Sequence, residues 1–450
     1  MNPPFLIYSR LLPARLRYIF KHVFSNVFDI EISFTTDTAV FNDFDGPKLN
    51  YSSSRFSDEL FFCAAPLLFE KGLKQQHIKV ERHEGIPIFY INKSNSDLPF
   101  DPFAASFYLL SRYEEYLPHN KDPHDRYPAE ESLAFKHGFL HLPVVDIWAM
   151  QLAGVLKKRF PAMHIGPNKF KFIPTYDIDI AYSYKAKGIF RNIGGYAMAL
   201  KRRNWAQLGE RTRVLLGMQP DPYNTYQWQF DLHEKHGLNP RYFFLIGEYS
   251  MYDKNVSGLA LSYQELIQHI SDFYDMGIHP SYQSCFNLNI LRSEIRLLAQ
   301  ITKEEIKKSR QHYIKLNVPT TYQNLLEMGI EKDYTMGYPS QIGFRASTAS
   351  SFDFYDISIE QHTSLRIFPF SIMDVTLRDY LKLSPQEAVA AAQKIIDAAK
   401  TVNGMFIPIW HNHTLSEKDG WEGWRDVYTQ IVEYAASLRG ENNSINKKQI

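Results

Sequence analysis

The chain has 450 residues, more than one hydrophobic core usually organises, so two domains are expected. Its 50 Lys/Arg against 49 Asp/Glu leave a formal charge of +1, which excludes the broad basic field of a nucleic-acid binder. Hydrophobic residues at 44% and charged residues at 22% suit a globular protein, and no uninterrupted apolar run reaches the roughly 20 residues that cross a bilayer.

The N-terminal apolar residues are interrupted by Arg10, Arg15, Arg17 and Lys21, which does not match a secretory signal. Cys63 and Cys285 lie far apart without metal-type spacing and are expected to be reduced, buried thiols, so the expected compartment is the cytoplasm. Residues 1–160 mix short strand-like runs with helices and are expected to form a smaller α+β domain. Within it, residues 86–92 are β-branched and aromatic, as strands are. Asp101-Pro102 opens a helix that carries Phe103, Phe107 and Leu110 at helical spacing. The stretch 118–128 is rich in turn residues, and a further helix is expected over 145–159.

Residues 161–168 resemble a linker. Beyond it strands and helices alternate. Strands are expected over 169–176, 242–246 and 405–410, and helices over 227–235, 263–274 (ending at Gly277), 385–400 and 422–438, with Ser384 capping the third. Such alternation predicts a parallel α/β sheet or barrel for 168–440. The polar tail 441–450 is expected to be disordered.

Barrel enzymes place reactive groups at the C-terminal ends of strands, so polar residues directly after apolar runs are the candidates for chemistry. Asp177 and Asp179 end the run that begins Phe172-Ile173, and two carboxylates so placed can divide the labour of cation ligand and base. His279 follows Gly277-Ile278 in the position of a metal ligand. Arg345, in Gly343-Phe344-Arg345-Ala346, can hold a carboxylate with two hydrogen bonds. His411 and His413 end the run Ile407-Pro408-Ile409-Trp410, where either can donate a proton or bind a metal. Taken singly, a turn cap, a loop histidine and a surface ion pair are the competing readings of the first three.

In order and context these segments resemble the polysaccharide deacetylase family, carbohydrate esterase family four, over roughly residues 170–415. The resemblance implies a distorted (β/α) barrel of about seven strands. It implies Asp177 as base, oriented by Arg345, and His411 as acid, supported by Asp374 of Phe368-Pro369-Phe370-Ser371-Ile372-Met373-Asp374. It also implies a divalent metal, zinc, on Asp179 and His279. Two departures stand out: Ile178 separates the aspartates, and Gln283 occupies the place of the family's second metal-binding histidine. His312, in Ser309-Arg310-Gln311-His312-Tyr313, is the candidate third ligand, and His413 a lesser one. Tyr282, Trp410 and His413 are candidate substrate contacts. The segment Ser111-Arg112-Tyr113-Glu114-Glu115-Tyr116 resembles an uncharacterised domain that precedes such deacetylase domains in bacteria.

The implied reaction is removal of N-acetyl or O-acetyl groups from a sugar or glycan intermediate of cell-surface glycan assembly. A non-catalytic glycan-binding descendant and a hydrolase of non-sugar C–N bonds are the alternatives. Between Lys185 and Gln219 lies an insertion that mixes Lys201-Arg202-Arg203, Arg211 and Arg213 with Phe190, Tyr196, Met198, Leu200 and Trp205. Such a mixture can rest peripherally on an anionic membrane or grip a lipid-linked sugar, and a solvated helical pair is the simpler alternative.

Overall fold

A computed structural model of the chain describes residues 4–92, 95–166 and 169–440. The tail expected at 441–450 lies outside the described residues, as do residues 167–168 of the expected linker. Cys63 and Cys285 are free and half-buried rather than buried.

The four short runs Phe5–Tyr8, Ile32–Thr35, Lys48–Ser52 and Leu60–Cys63 pair into one sheet, with the second run at one edge beside the first. Every pairing in it is parallel, so this part is built in the α/β manner rather than the α+β manner expected. The reason is the crossover between the first two runs. Helix Ala14–Phe20 and its continuation Lys21–Val27 bury Leu16, Ile19, Phe20, Val23 and Phe24, an i, i+3, i+4, i+7, i+8 stripe that covers the sheet. Helix Pro102–Leu110 begins as its sequence predicts, with the Asp101 carboxylate accepting from the Phe103 and Ala104 amides. Its Phe103 ring stacks on Phe20 at 4.0 Å between centroids. The strand expected over 86–92 is shorter, Ile86–Ile88, hairpinned with Glu81–His83.

The second region is a nine-stranded sheet. Its order is Phe352–Asp356, Gln361–Ile367, Lys332–Asp333, Lys308–Ser309, Asp275–Ile278, Arg241–Phe244, Thr175–Ile178, Pro408–His411 and Ile372–Met373. All pairings are parallel except that of the first two strands, an antiparallel hairpin at the edge. Gln361–Ile367 and Ile372–Met373 stand near opposite ends of this order yet belong to one stretch of chain. The Phe370 amide of that stretch donates to Met336 O and the Ser371 amide to Ile407 O.

Expected strands shift where the backbone forces them to. The run 169–176 breaks at Pro174, which has no amide to donate, into Lys171–Phe172 and Thr175–Ile178, so Asp177 falls inside a strand. The run 405–410 breaks at the matching place, into Met405–Phe406 and Pro408–His411. Gly277 does not end a helix. It lies within Asp275–Ile278, where a Cβ would sit 2.6 Å from Lys308 O. Helix Pro385–Thr401 carries the capping box of Ser384 with Glu387.

The two regions share one core. Phe5, Phe20, Phe103 and Trp148 belong to the same cluster of buried apolar residues as Tyr176, Phe244, Ile278 and Trp410.

Candidate functional site

Parallel strands in register bring their C-terminal ends to one level. Asp177 lies opposite His411, and Ile278 opposite both Phe244 and Ser309. Asp177, Asp179, His279, His312, His411 and His413 therefore converge on one cavity of about 290 Å³. Strand alternation decides which side chains enter it. Tyr176 points the other way, its hydroxyl against His233 and Tyr428. Trp410 does the same: it is fully buried with its ring 4.6 Å from Tyr428. The expectation that Trp410 contacts substrate therefore fails, since its neighbour His411 takes the inward position.

Within the cavity, ligand atoms of Asp179, His279 and His312 all lie within 4.8 Å of one another. His279 Nε2 is 3.2 Å from Asp179 Oδ1, and His312 Nε2 is 3.5 Å from Asp179 Oδ2. Each imidazole is fixed from behind. His279 Nδ1 is 2.6 Å from Arg310 O, and His312 Nδ1 is 2.8 Å from Asp253 Oδ1. Those bonds leave both Nε2 atoms facing the centre, the arrangement that metal-binding histidines use. Asp179 Oδ1 is buried with no hydrogen-bond donor. One carboxylate and two imidazoles form a donor set suited to zinc or a similar divalent ion. The residues present fit such an ion, and His312 stands where the sequence places a third ligand. Gln283 lies in the turn Gln283–Phe286 and lines a different cavity.

The electrostatics follow from this crowding. Burial would raise the Asp179 carboxyl, but the His312 and His411 charges and the close approach of the His279 and His312 Nε2 atoms hold it well below the usual range. Burial pulls His312 down, yet Asp179 and Asp253 lift it to about 9. For His411 burial acts the same way, and Asp374 and Asp179 lift it to about 10. Asp374 is buried on the far side of His411, 2.8 Å from Nδ1, and also accepts from the Thr414 hydroxyl at 2.6 Å. His411 Nε2 faces the cavity, 3.5 Å from Asp179 Oδ2. His413 lines the same cavity, but burial and the nearby His411 charge lower it to about 4.

The arginine that holds Asp177 is Arg310, not Arg345. Arg310 is fully buried, and its Nη1 donates to Asp177 Oδ1 at 2.9 Å and to Thr175 Oγ1 at 2.8 Å. Arg345 instead makes a two-pronged bond to Glu115, Nε to Oε1 at 2.9 Å and Nη2 to Oε2 at 2.7 Å. Arg112 shares Glu115 and also donates to Arg345 O. The backbone explains the placement. Gly343 has φ +124, a Cβ there would sit 2.4 Å from Leu140 O, and the Phe344 amide donates to that oxygen. The segment Gly343-Phe344-Arg345-Ala346 is thus seated against the N-terminal region.

Tyr282 does not line the cavity. It stacks at 4.1 Å on Tyr252, which does. Three residues at the site escaped the sequence reading. Arg310 had a signal, an arginine directly after the strand Lys308–Ser309 and two residues before His312. Asp253 and Arg126 come from loops without a local pattern. Arg126 reaches the cavity from the N-terminal region and donates to Tyr313 O at 2.5 Å.

Residues 5–161 match the model of a family of unknown function, DUF7033. No curated protein matches the chain. Among solved structures, a Mycobacterium smegmatis protein described as a polysaccharide deacetylase is 13% identical, with TM-score 0.40, covering 62% of this chain and 87% of its own. The allantoinase Puue is 11% identical with TM-score 0.37, covering 60% and 84%. A pseudoenzyme of family CE4 from Bacillus anthracis is also similar, at 11% identity and TM-score 0.28, covering 60% and 62%.

Proposed function

We propose that the chain is a metal-dependent hydrolase that removes acetyl groups, from nitrogen in the first instance, from an amino sugar or glycan intermediate. The observation that carries this reading is the Asp179–His279–His312 cluster set between a carboxylate held by an arginine and a histidine held by a carboxylate. The reading treats 168–440 as a catalytic unit on a distorted barrel of about seven strands, with Gln361–Ile367 and Ile372–Met373 as one bent staple between the sheet ends.

Asp179, His279 and His312 would hold the ion, which supplies water activation near neutral pH and polarisation of the acyl carbonyl. Arg310 occupies Asp177 Oδ1, so Asp177 Oδ2 is the oxygen left to take the proton of the attacking water. His411 is held charged by Asp374 with Nε2 toward the cavity, so it can deliver a proton to a departing nitrogen, which leaves poorly as an anion. The Ile180, Ile314 and Val375 side chains line the same cavity and limit water around the reacting atoms.

Replacing Asp177 with Asn tests this. Turnover of an N-acetylated amino-sugar panel should fall by two or more orders of magnitude on the usual weight of a general base, with zinc content unchanged. Equal activity in the variant would refute the role of Asp177. Stoichiometric metal with activity only on non-sugar amides would move the assignment to that class of C–N hydrolase. A purified protein that takes up no metal would leave a glycan-binding descendant as the better reading.

A further inference from the structure

We infer that the helical hairpin inserted directly after the Asp179 segment docks on an anionic lipid bilayer. The hairpin consists of helices Gly188–Lys201 and Trp205–Leu215. Its polarity is inverted. Nine large apolar side chains stand exposed between Ile189 and Met218, among them Phe190 at 91%, Ile189 at 76% and Trp205 at 67%. At 3.6 residues per turn Ile189, Leu200, Ile193 and Phe190 fall within an arc of about 100°, a continuous apolar stripe on the outer face. The inner face buries only the small apolar residues Ala199 and Val214, and beside them a cation. Arg211 is buried, its guanidinium 4.7 Å from the Tyr184 ring and bonded to Asn192 Oδ1. Gly195 leaves the room it fills, since a Cβ there would meet the guanidinium at 2.3 Å. A hairpin evolved for water would place these groups the other way round.

The charge says what covers the stripe. Residues 185–218 hold eight Lys/Arg and a single acid, Glu210, in a chain whose total is +1, so the rest of the molecule is net acidic. Lys201, Arg202 and Arg203 are exposed at the turn and make no ion pair among the described residues. Apolar side chains flanked by free cations match the acyl and headgroup layers of an anionic leaflet. No described helix is long and apolar enough to cross a membrane, and the contact inferred is one of the hairpin's outer face with the leaflet surface.

The hairpin also joins the site. The Asp221 carboxylate closes its base by accepting from the amides of Ser183, Tyr184 and Lys185. Arg191 lies 4.2 Å from the Tyr249 ring and donates to the carbonyls of Lys254 and Asn255. Lys254 lines the catalytic cavity, and its neighbour Asp253 fixes His312. A docked hairpin therefore holds the cavity mouth beside the lipid surface. Joined to the deacetylase reading, on which this last step rests, it implies a substrate carried on a membrane anchor.

The test is vesicle co-sedimentation with the full chain. Phosphatidylcholine vesicles with roughly 30% phosphatidylglycerol should bind it and pure phosphatidylcholine should not, with binding falling as salt rises. At about fivefold per surface cation, Lys201→Gln, Arg202→Gln and Arg203→Gln together should weaken binding by about 100-fold. Phe190→Ser with Ile193→Ser should weaken it at least tenfold, and brominated lipid should quench Trp205. Equal binding to both vesicle types, or unchanged binding in both variants, would overturn the proposal. So would a dimer in solution that Phe190→Ser dissolves, since a second copy would then be the occupant. Asp177→Asn should bind vesicles like the natural protein, so failure here is distinguishable from failure of the catalytic assignment.

Discussion

The support of His312 by Asp253 offers the sharpest test of the metal centre. Asp253→Asn keeps an Oδ1 acceptor for His312 Nδ1 and for the Tyr282 amide, and keeps a polar group toward Ser250. What it removes is a negative charge 2.8 Å from the imidazole. Loss of such an outer partner costs about 10–100-fold in metal affinity, or about 1.4–2.7 kcal/mol. Zinc titration against a chromophoric chelator should show that loss, and His312→Ala should show a larger one. If Asp253 acts through His312, the double variant should match His312→Ala alone to within about 0.5 kcal/mol. Full additivity of the two, or wild-type affinity in His312→Ala, would refute the three-residue cluster. Metal-free thermal unfolding of each variant separates this from loss of the Tyr282 and Ser250 contacts.

Metal uptake should also depend on pH with a defined sign. His312 is lifted to about 9, so at pH 7 the metal-free ring is charged and must lose one proton to bind. The logarithm of apparent affinity should therefore rise by about one per pH unit and level off near pH 9, and chelator competition from pH 6.5 to 9.5 measures it; a flat profile would contradict the ligand role. Glu115→Gln should leave two buried guanidiniums, Arg112 and Arg345, without their shared carboxylate. Breaking such a pair costs about 3–5 kcal/mol, read as a lower urea midpoint, whereas a change below about 0.5 kcal/mol would show that the seam is not set by this pair.

The site residues legible in the sequence, His312 excepted, share one property: each is a polar group at or just after the end of a short apolar run. Parallel strands end level, so Asp177, Asp179, His279 and His411 meet through their own segments, whereas His312 sits in the turn that follows Lys308–Ser309 and is placed by contacts from elsewhere in the chain. Arg345 meets the same criterion and goes elsewhere, because a strand-end arginine reads alike whether its carboxylate lies across the sheet or in another region. Its partner Glu115 is 230 residues away, a pairing that only the assembled fold selects. The two motifs singled out separately, around Arg112 and around Arg345, are each other's partners. Trp410 was legible in principle, since an inward His411 forces its strand neighbour outward. The N-terminal parallel sheet was harder, because its strands of four or five residues carry too few positions for a period to emerge.

The boundary expected near residues 161–168 does not divide the site. Tyr313 and Ile314, directly after His312, both have positive φ, 59 and 52 degrees, without being glycine. Each such residue costs roughly 1–3 kcal/mol and persists only where its surroundings enforce it. The enforcing groups come from the N-terminal region. Arg126, itself held by Asp122, donates to Tyr313 O. Lys315 Nζ donates to His124 O, and Asn317 to Asp125 Oδ2. The loop 122–126 thus braces the turn that aims His312 at Asp179 and His279. The nine-stranded region alone would carry Asp179, His279 and His312 in its sequence, but without that brace His312 loses the contacts that hold its turn in a strained conformation. Residues 5–161, which match the family of unknown function, therefore supply part of the framework of the candidate site, through contacts to the turn rather than through residues of the Asp179–His279–His312 cluster.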